Sequence, residues 1–249
     1  MKKTLFSFFT LALSITALAQ ESFLDPTDAR DLPSMIRVMV EYIEVPLPEL
    51  TKLLAEPRVS TNDNDLRNEI GKLVENKIAK QADTQFVLCR SGETAKTEGI
   101  LEYISPSEYD PPSPPRNIIA NNTTHEAITF SKHLATPTIP TAWDTRPLGS
   151  TLEIQPQIDG NRFLVNLLFA PELVEHVHNK IWAEWYGAQG EAHTKRSLFF
   201  VNRMTTGLTV VNGQYCLVGT NSMPGENGTA DYQRKLLLFL RADIITPGL

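Results

Sequence analysis

The sequence predicts an α+β fold: a mainly antiparallel β-sheet with hairpins, two N-terminal helices and one helix inserted between the C-terminal hairpins. Two pairs of segments with alternating apolar residues carry this prediction, each pair joined by Asp159-Gly160 or Asn212-Gly213. These dipeptides tolerate the positive φ angles of a tight turn, so each pair is predicted to be a hairpin. A final apolar segment, Lys235–Ile245, is predicted to be the closing strand. The paired segments are Thr151–Ile158 with Asn161–Ala170, and Thr206–Val211 with Gln214–Gly219.

An export signal is predicted ahead of the folded part. Lys2 and Lys3 supply a positive start, Leu5–Leu18 supplies an apolar stretch, and Ala17-Leu18-Ala19 resembles a cleavage site. The apolar stretch is too short for a transmembrane helix. Residues 1–19 are therefore predicted to be removed. The style of the signal is bacterial, which predicts an exported protein of the periplasm or outer membrane.

The charge balance argues against nucleic acid as a partner. Removing Lys2 and Lys3 from the 23 basic residues leaves 21, against 29 acidic residues, a net charge of −8. No basic cluster is present, so nothing in the sequence predicts binding to phosphates. About 230 mature residues suffice for one large or two small domains with a hydrophobic core.

The N-terminal part, residues 35–105, is predicted to have the order β-α-α-β-β after a flexible lead-in over residues 20–34. Met35–Val45 alternates and carries apolar residues on both sides, which predicts a strand covered on both faces near its end. Pro48–Ala55 is predicted as a short helix because Pro48 suits a first turn. Asp65–Lys80 has apolar residues at helical spacing after an Asn62-Asp63 cap, which predicts a second helix.

A further hairpin is predicted where Gln85–Arg90 and Lys96–Ser105 flank the turn Ser91-Gly92-Glu93. Residues 106–140 are predicted to be a proline-rich linker, because the prolines of Pro106–Arg116 exclude it from a central sheet. Within that range the sequence does not decide whether Ala127–Phe130 is a short strand. Residues 141–249 are predicted to be the C-terminal β-hairpin part of the same module.

The helix between the C-terminal hairpins is predicted over Pro171–Glu191, with Glu172–Tyr186 as its central part. Apolar residues recur every four positions, Pro171 suits a helix start, and Gly187 suits its end. The apolar stripe is predicted to dock on the sheet. The alternative is a membrane interface, which acidic residues on the same segment disfavour. The stripe consists of Leu173, Val177, Ile181 and Trp185, the aromatic residues are Trp182, Trp185 and Tyr186, and the acidic residues are Glu172, Glu175 and Glu184.

No catalytic, cofactor-binding or metal-binding residues are predicted. His176 and His178, with Glu172, Glu175 and His193 nearby, are the strongest metal candidate. Residues two apart on a helix point in different directions, and only a strand would place them on one face. No nucleophile elbow and no phosphate-binding glycine loop is present, so the chain is predicted not to be an enzyme and to need no cofactor.

Two cysteines, Cys89 and Cys216, fall in predicted strands. In an oxidising compartment they could form a disulfide, and the other interpretation is two small buried apolar residues. The sequence leaves both open, with burial favoured.

Five segments in order resemble the secretin homology domain, the C-terminal module of type II and type III secretion system outer-membrane channels. They resemble, in turn, a valine-alternating opening strand, a strand followed by Ser-Gly-x-x-Ala, a Gly-x-x-Leu-x-x-x-Pro-x-Ile segment, a Val-x-Asp-Gly-Gln turn with its strands, and a leucine-rich closing strand. The segments are Arg37–Val45, Thr84–Ala95, Gly149–Gly160, Thr205–Gly219 and Lys235–Ile245.

The sequence departs from the family in four respects. The helix-like insert Glu172–Tyr186 and the proline-rich loop Pro106–Pro115 are unlike the family pattern. Asn221–Asp231 is polar, and is interpreted as flexible, where the family has a Pro-Leu-Leu-Gly-Asp-Ile-Pro-like segment. No counterpart of the N-terminal ring domains is expected between the signal and the module, so the chain resembles a short secretin-like protein.

The resemblance implies a non-enzymatic cell-envelope protein that forms or contributes to a multimeric outer-membrane β-barrel for protein secretion. Its partners would be further copies of itself or other envelope and secretion components, with membrane association left open. The proposed lipid-facing or wall-facing side consists of Phe163, Val165, Leu167 and Phe169. The alternative is a soluble periplasmic binding or scaffold module that kept the fold without a pore.

Overall fold

The computed structural model describes residues 34–55, 62–113, 135–187, 190–225 and 228–246. In these ranges the chain is mainly antiparallel β-sheet with two short helices, which confirms the predicted class. The signal, residues 20–33 of the lead-in and Ala127–Phe130 lie outside the described residues. The elements are β1 Met35–Pro46, α1 Leu47–Leu54, α2 Asn64–Glu75, β2 Lys80–Arg90, β3 Ala95–Asp110, β4 Ile139–Ile158, β5 Leu164–Gly187, β6 Gly190–Arg203, β7 Thr206–Val211, β8 Tyr215–Pro224 and β9 Ala230–Ile245.

Two antiparallel sheets contain these strands. Sheet 1 has the order β2-β1-β9-β8, and sheet 2 has the order β3-β4-β5-β6, with β7 paired to the first part of β5. In sheet 1, Val40 lies opposite both Gln85 and Leu240, so β1 is a central strand. Its burial on both faces explains why its sequence is apolar on both sides.

The main core lies between the two sheets. Residues of sheet 1 such as Val38 and Leu240 pack in one buried cluster with Leu152 and Val165 of sheet 2. All four are at most 1% exposed. Burial of such side chains stabilises the folded state by about 1.5–3 kcal/mol each, so this cluster holds the sheets together.

The two helices cover part of the outer face of sheet 1. Leu50 of α1 and Leu66 and Ile70 of α2 pack in a second cluster with Ile43 and Phe239. The predicted second helix extended to Lys80, but α2 ends at Glu75. Lys77 has a positive φ of 59°, which a helix cannot continue through, and the chain then enters β2. Neither described helix has the length and apolar character of a transmembrane helix.

Only one of the three predicted hairpins forms as predicted. The pair flanking Asp159-Gly160 is confirmed, with Gln155 opposite Leu168, and Asp159 accepts the backbone N–H groups of Phe163 and Leu164. The other two predictions are wrong, because their strands enter different sheets. β2 pairs with β1 while β3 pairs with β4, and β7 pairs with β5 while β8 pairs with β9.

The two misassigned turns connect the sheets. At the first, Gly92 has φ +86° and donates its N–H to Pro156, while Ser91 Oγ accepts the N–H of Ile158. At the second, Gly213 has φ +76° and donates to the carbonyl of Ala242. A glycine with positive φ serves a reversal between sheets as well as one within a hairpin, so turn chemistry did not distinguish them.

The predicted helix over Pro171–Glu191 is also wrong, because β5 and β6 occupy this segment. Residues four apart share one face of a strand as well as one face of a helix, so the spacing of Leu173, Val177 and Ile181 fits both. Pairing decides for the strand: β5 pairs with β4 and β7 over its first part and with β6 from Glu172 to Gly187, so ladder hydrogen bonds replace those of a helix.

Two further expectations are corrected at the level of boundaries. β3 continues to Asp110 and β4 begins at Ile139, so strands enter the range predicted as a linker at both ends. Pro106 is accommodated because β3 is an edge strand. Asn221–Asp231, interpreted as flexible, contains the end of β8 and the start of β9, with Met223 only 6% exposed.

Candidate functional site: two ribbons beyond the core

Sheet 2 extends past the core as two separate two-stranded ribbons. β4 and β5 pair from Ile158–Val165 to Gly149–Val174, and no further pairing between them is found in the described residues. Beyond this point β3 stays paired with β4, and β5 stays paired with β6. We call residues 99–110 and 139–148 the β3–β4 ribbon, and residues 175–187 and 190–201 the β5–β6 ribbon.

Exposed apolar side chains concentrate on these ribbons. Leu101 is 70% exposed, Ile104 60% and Trp182 64%, far above the near-zero values of the core. The two ribbons therefore present apolar surface that the described chain does not cover. The ribbon residues concerned are Ile100, Leu101, Ile104, Ile139, Trp143, Ile181, Trp182, Tyr186, Leu198 and Val201.

An aromatic cluster joins the two ribbons. The ring of Tyr103 on β3 stacks on His176 of β5 with centroids 4.8 Å apart. Phe199 of β6 meets both rings edge-on, at 5.7 Å from Tyr103 and 5.8 Å from His176. The guanidinium of Arg146 on β4 lies 5.3 Å from the Phe199 centroid, at cation–π distance. All four ribbon strands therefore contribute to one contact.

Polar contacts extend this junction along the ribbons. Asn179 Oδ1 lies 3.3 Å from the hydroxyl of Tyr103, 2.9 Å from that of Ser197 and 3.0 Å from His176 Nε2. The hydroxyl of Tyr109 donates to the carbonyl of Lys195 at 3.0 Å and accepts the Lys195 N–H at 3.3 Å. The outermost strands β3 and β6 are thus brought together, although β4 and β5 separate them in the order of sheet 2.

The histidine pair considered for metal binding lies on β5 and not on a helix. The pairing register shifts between His176 and His178, which disturbs the regular alternation of the strand. The His176 ring stacks on Tyr103, and its Nε2 lies within hydrogen-bond distance of Asn179 Oδ1. Glu172 binds Arg203 at 2.7 Å, and this hydrogen bond raises the pKa of the arginine. No group of three or more metal-ligating side chains is found among the described residues.

The two cysteines are free thiols in the structure, with Cys89 buried and Cys216 partly buried. Both pack at the core between the sheets. Burial raises the pKa of each thiol, which favours the protonated and unreactive form.

The face proposed from sequence for lipid or a second wall is mostly core. Val165, Leu167 and Phe169 are at most 2% exposed and pack between the sheets, while Phe163 is 60% exposed. The apolar stripe predicted to dock on the sheet is covered only at its start, since Leu173 is buried in the core whereas Ile181 is 45% exposed. Trp182 and Tyr186 beside the stripe are at least 60% exposed on the β5–β6 ribbon. Trp182 instead lies within 5.6 Å of the charged groups of Lys180 and Arg196.

The ribbons were missed by sequence reasoning, since β6 was not predicted and β5 was split into a strand and a helix. The available signal was weak: the segment Ser197–Val201 is apolar, but it lacks a turn dipeptide next to it. The five segments that resemble secretins lie in strands and turns of the two-sheet core, with the Gly149–Gly160 segment starting where the ribbons begin.

Comparison with known proteins finds no matching family model and no matching curated protein. Among solved structures, the chain is similar to the type II secretin GspD from enteropathogenic Escherichia coli, with 12% identity and a TM-score of 0.37. This match covers 86% of this chain and 69% of that one. The chain is also similar to the secretin InvG of the Salmonella SPI-1 type III secretion injectisome, with 10% identity and a TM-score of 0.39. That match covers 87% of this chain and 63% of InvG.

A third similar structure is the ETEC pilotin–secretin AspS–GspD complex, with 10% identity, a TM-score of 0.40 and coverage of 87% of this chain and 50% of that one. The likeness to these secretins is distant and concerns the fold. The chain spans 50 to 69% of the length of these three chains.

Proposed function

We propose that the protein is a non-enzymatic, secretin-like cell-envelope protein whose ribbons contribute to a multimeric β-barrel in the outer membrane for protein secretion. The observation that carries the proposal is the exposed apolar surface of the ribbons, which lies outside the core. Each ribbon strand has at least ten residues, and a strand that crosses a bilayer needs about 9–11 residues.

The free edges of the ribbons support assembly from several copies. In the described part of the chain, β3 pairs only with β4, and β6 pairs only with β5 along the ribbons. Unpaired edges next to apolar faces favour association with further strands. Closure of several copies into a barrel would remove these edges and would shield the apolar faces.

Arginine substitutions on a ribbon test this proposal. Leu101 and Ile104 lie three residues apart on β3, so they point to opposite faces, and one of them would face lipid in a barrel. Of the two variants Leu101→Arg and Ile104→Arg, the one on the lipid side should block recovery of the protein as an outer-membrane oligomer, because arginine in the lipid midplane costs about 2–4 kcal/mol. Phe86→Arg is the matched control, since Phe86 is 68% exposed but lies on β2.

The measurement is cell fractionation followed by size determination of the full chain in mild detergent. The proposal expects wild type and Phe86→Arg as oligomers in the outer-membrane fraction. A wild-type monomer that stays soluble without detergent would refute it. Equal behaviour of all three arginine variants would show that the ribbons do not meet lipid.

The second candidate is a soluble periplasmic binding or scaffold module. The observation that favours it is the contact of Tyr109 with Lys195, which covers part of the β6 edge within one chain. This alternative expects a monomer in the periplasmic fraction.

A further inference from the structure

The contact between Tyr109 and Lys195 involves the backbone of an edge strand. The backbone N–H and C=O of one residue point to the same side of an antiparallel strand. Both groups of Lys195 bind the Tyr109 hydroxyl, which approaches from β3. Lys195 therefore directs its backbone groups away from β5, toward the free edge of β6. An added strand would use the same two groups.

The local geometry of β3 directs Tyr109 to this position. The pairing of β3 with β4 is irregular between Pro106 and Glu108, and again between Glu108 and Tyr109. Such irregularities bend a strand and change the direction of a side chain. Here the Tyr109 hydroxyl lies beside the β6 backbone, 3.0 Å from the carbonyl oxygen of Lys195.

The opposite strand is also irregular here. The register of β5 shifts between Ile181 and Ala183, directly across from Lys195 and Thr194. Thr194 itself contacts Thr138 with 3.4 Å between their hydroxyls. The Tyr109–Lys195 contact thus lies where the β3–β4 pairing and the β5–β6 pairing both depart from a regular ladder. A further strand could pair regularly with β6 here only if the contacts of Tyr109 and Thr194 changed.

We propose that Tyr109 masks the β6 edge of the single chain, so that a second copy of this chain can add a strand there only after the Tyr109–Lys195 contact opens. This inference rests on the assembly of copies proposed above. Tyr109 acts as an intramolecular competitor for the edge: its hydroxyl occupies one backbone donor and one acceptor, and release of the hydroxyl returns both to a partner strand.

Tyr109→Phe tests the proposal because it removes the hydroxyl and keeps the ring. Tyr103→Phe is the matched control: it removes a hydroxyl that joins the same ribbons through Asn179 and Ser197, but that hydroxyl touches no backbone group of β6. Two quantities are measured on the full chain: hydrogen exchange of the Lys195 amide in the monomer, and the rate of oligomer formation after dilution into mild detergent.

The expected result is exchange at Lys195 about 3- to 10-fold faster in Tyr109→Phe, as loss of one hydrogen bond predicts. Oligomer formation should be faster in the same variant, and Tyr103→Phe should change neither quantity. Unchanged Lys195 exchange in Tyr109→Phe would overturn the masking. If the Lys195 amide exchanges faster in Tyr109→Phe but oligomers form no faster, Tyr109 does not compete with a partner strand for the β6 edge, and the proposal is refuted.

The two proposals fail in different ways. Whether the wild type forms oligomers tests the proposed barrel alone. The differences in Lys195 exchange and assembly rate between wild type and Tyr109→Phe test the proposed masking by Tyr109. If every variant stays monomeric in detergent, both the barrel and the competition by Tyr109 are refuted. Equal acceleration by Tyr103→Phe would assign the effect to looser ribbons and would refute the mask.

Discussion

Arg67 on helix α2 donates two hydrogen bonds to the Glu41 carboxylate on strand β1, at 2.6 and 2.7 Å. The side chain of Glu41 is 8% exposed and that of Arg67 19%, so water screens the pair weakly. The hydrogen bond to Glu41 raises the pKa of Arg67. The guanidinium groups of Arg67 and Arg241 lie 5.7 and 5.5 Å from the centroid of the Tyr215 ring. The Arg67–Glu41 pair therefore links α2 to β1, a central strand of sheet 1.

Arg67→Met should therefore lower the free energy of unfolding by about 3 kcal/mol, because it leaves the buried carboxylate of Glu41 without its partner. Lys72→Met on the same helix is the control. Its ion pair with Glu69 is largely exposed and screened by water, so its loss should change the free energy of unfolding little. Urea unfolding measures both. The double variant Arg67→Met with Glu41→Leu should recover most of the loss, and equal effects of Arg67→Met and Lys72→Met would contradict the prediction.

Tyr42 is 1% exposed, and its hydroxyl has no hydrogen-bond partner among the described residues. A buried hydroxyl without a partner loses its bonds to water on folding. Tyr42→Phe should therefore raise the free energy of unfolding by about 1 kcal/mol at pH 7. Tyr232→Phe, at a residue that is 68% exposed, should leave it unchanged. Destabilisation by Tyr42→Phe would show that the hydroxyl has a stabilising contact.

The same residue predicts a loss of stability in alkali. Burial, and then the carboxylates of Asp83 and Glu172, raise the pKa of Tyr42 well above its ordinary value of 10.0. Above pH 10 the unfolded chain loses this proton while the folded chain keeps it, so stability falls as pH rises. The slope from this group approaches about 1.4 kcal/mol per pH unit. Urea unfolding between pH 9 and 11 should show a shallower decline in Tyr42→Phe, and parallel declines would contradict the assignment.

Gly149 marks the point where the ribbons leave the core. Its φ is +124°, and a Cβ there would lie 2.0 Å from the carbonyl oxygen of Gly99. Gly149→Ala should destabilise the protein by more than about 2 kcal/mol, since it adds backbone strain to a backbone clash. Gly99→Ala, with open space at its Cβ position, should change stability by less than about 1 kcal/mol. Thermal unfolding measures both variants, and similar midpoints for the two would argue against a strained Gly149.

Sequence patterns predicted the core better than the candidate site. Alternation placed strands at β1, at the end of β4, at the start of β5 and at β9, because burial on one or both faces leaves a period of two in the residues. The same rule failed for β5 beyond Pro171, where a spacing of four fits a strand as well as a helix. The bulges at His176 and Ile181 further disturbed the alternation that would have indicated a strand.

The candidate site depends on contacts that are remote in sequence. Tyr109 and Lys195 lie 86 residues apart, and Tyr103 and Asn179 lie 76 apart. No pattern within a window of the sequence links such pairs. The exposed apolar side chains of the ribbons also look like core residues in the sequence, since hydrophobicity indicates burial only when another layer covers the strand.

Local chemistry in the chain specifies where strands turn: Gly92, Gly213 and the Asp159-Gly160 dipeptide all lie at reversals. The identity of each strand's partner is not local. Ser91-Gly92 and Asn212-Gly213 lead from one sheet to the other because apolar side chains of β2 and β8 in sheet 1 and of β7 in sheet 2 pack on opposite sides of one core. The partner of each strand is determined by long-range burial of apolar side chains between the two sheets. The ribbons extend beyond this buried region, so their apolar side chains remain exposed.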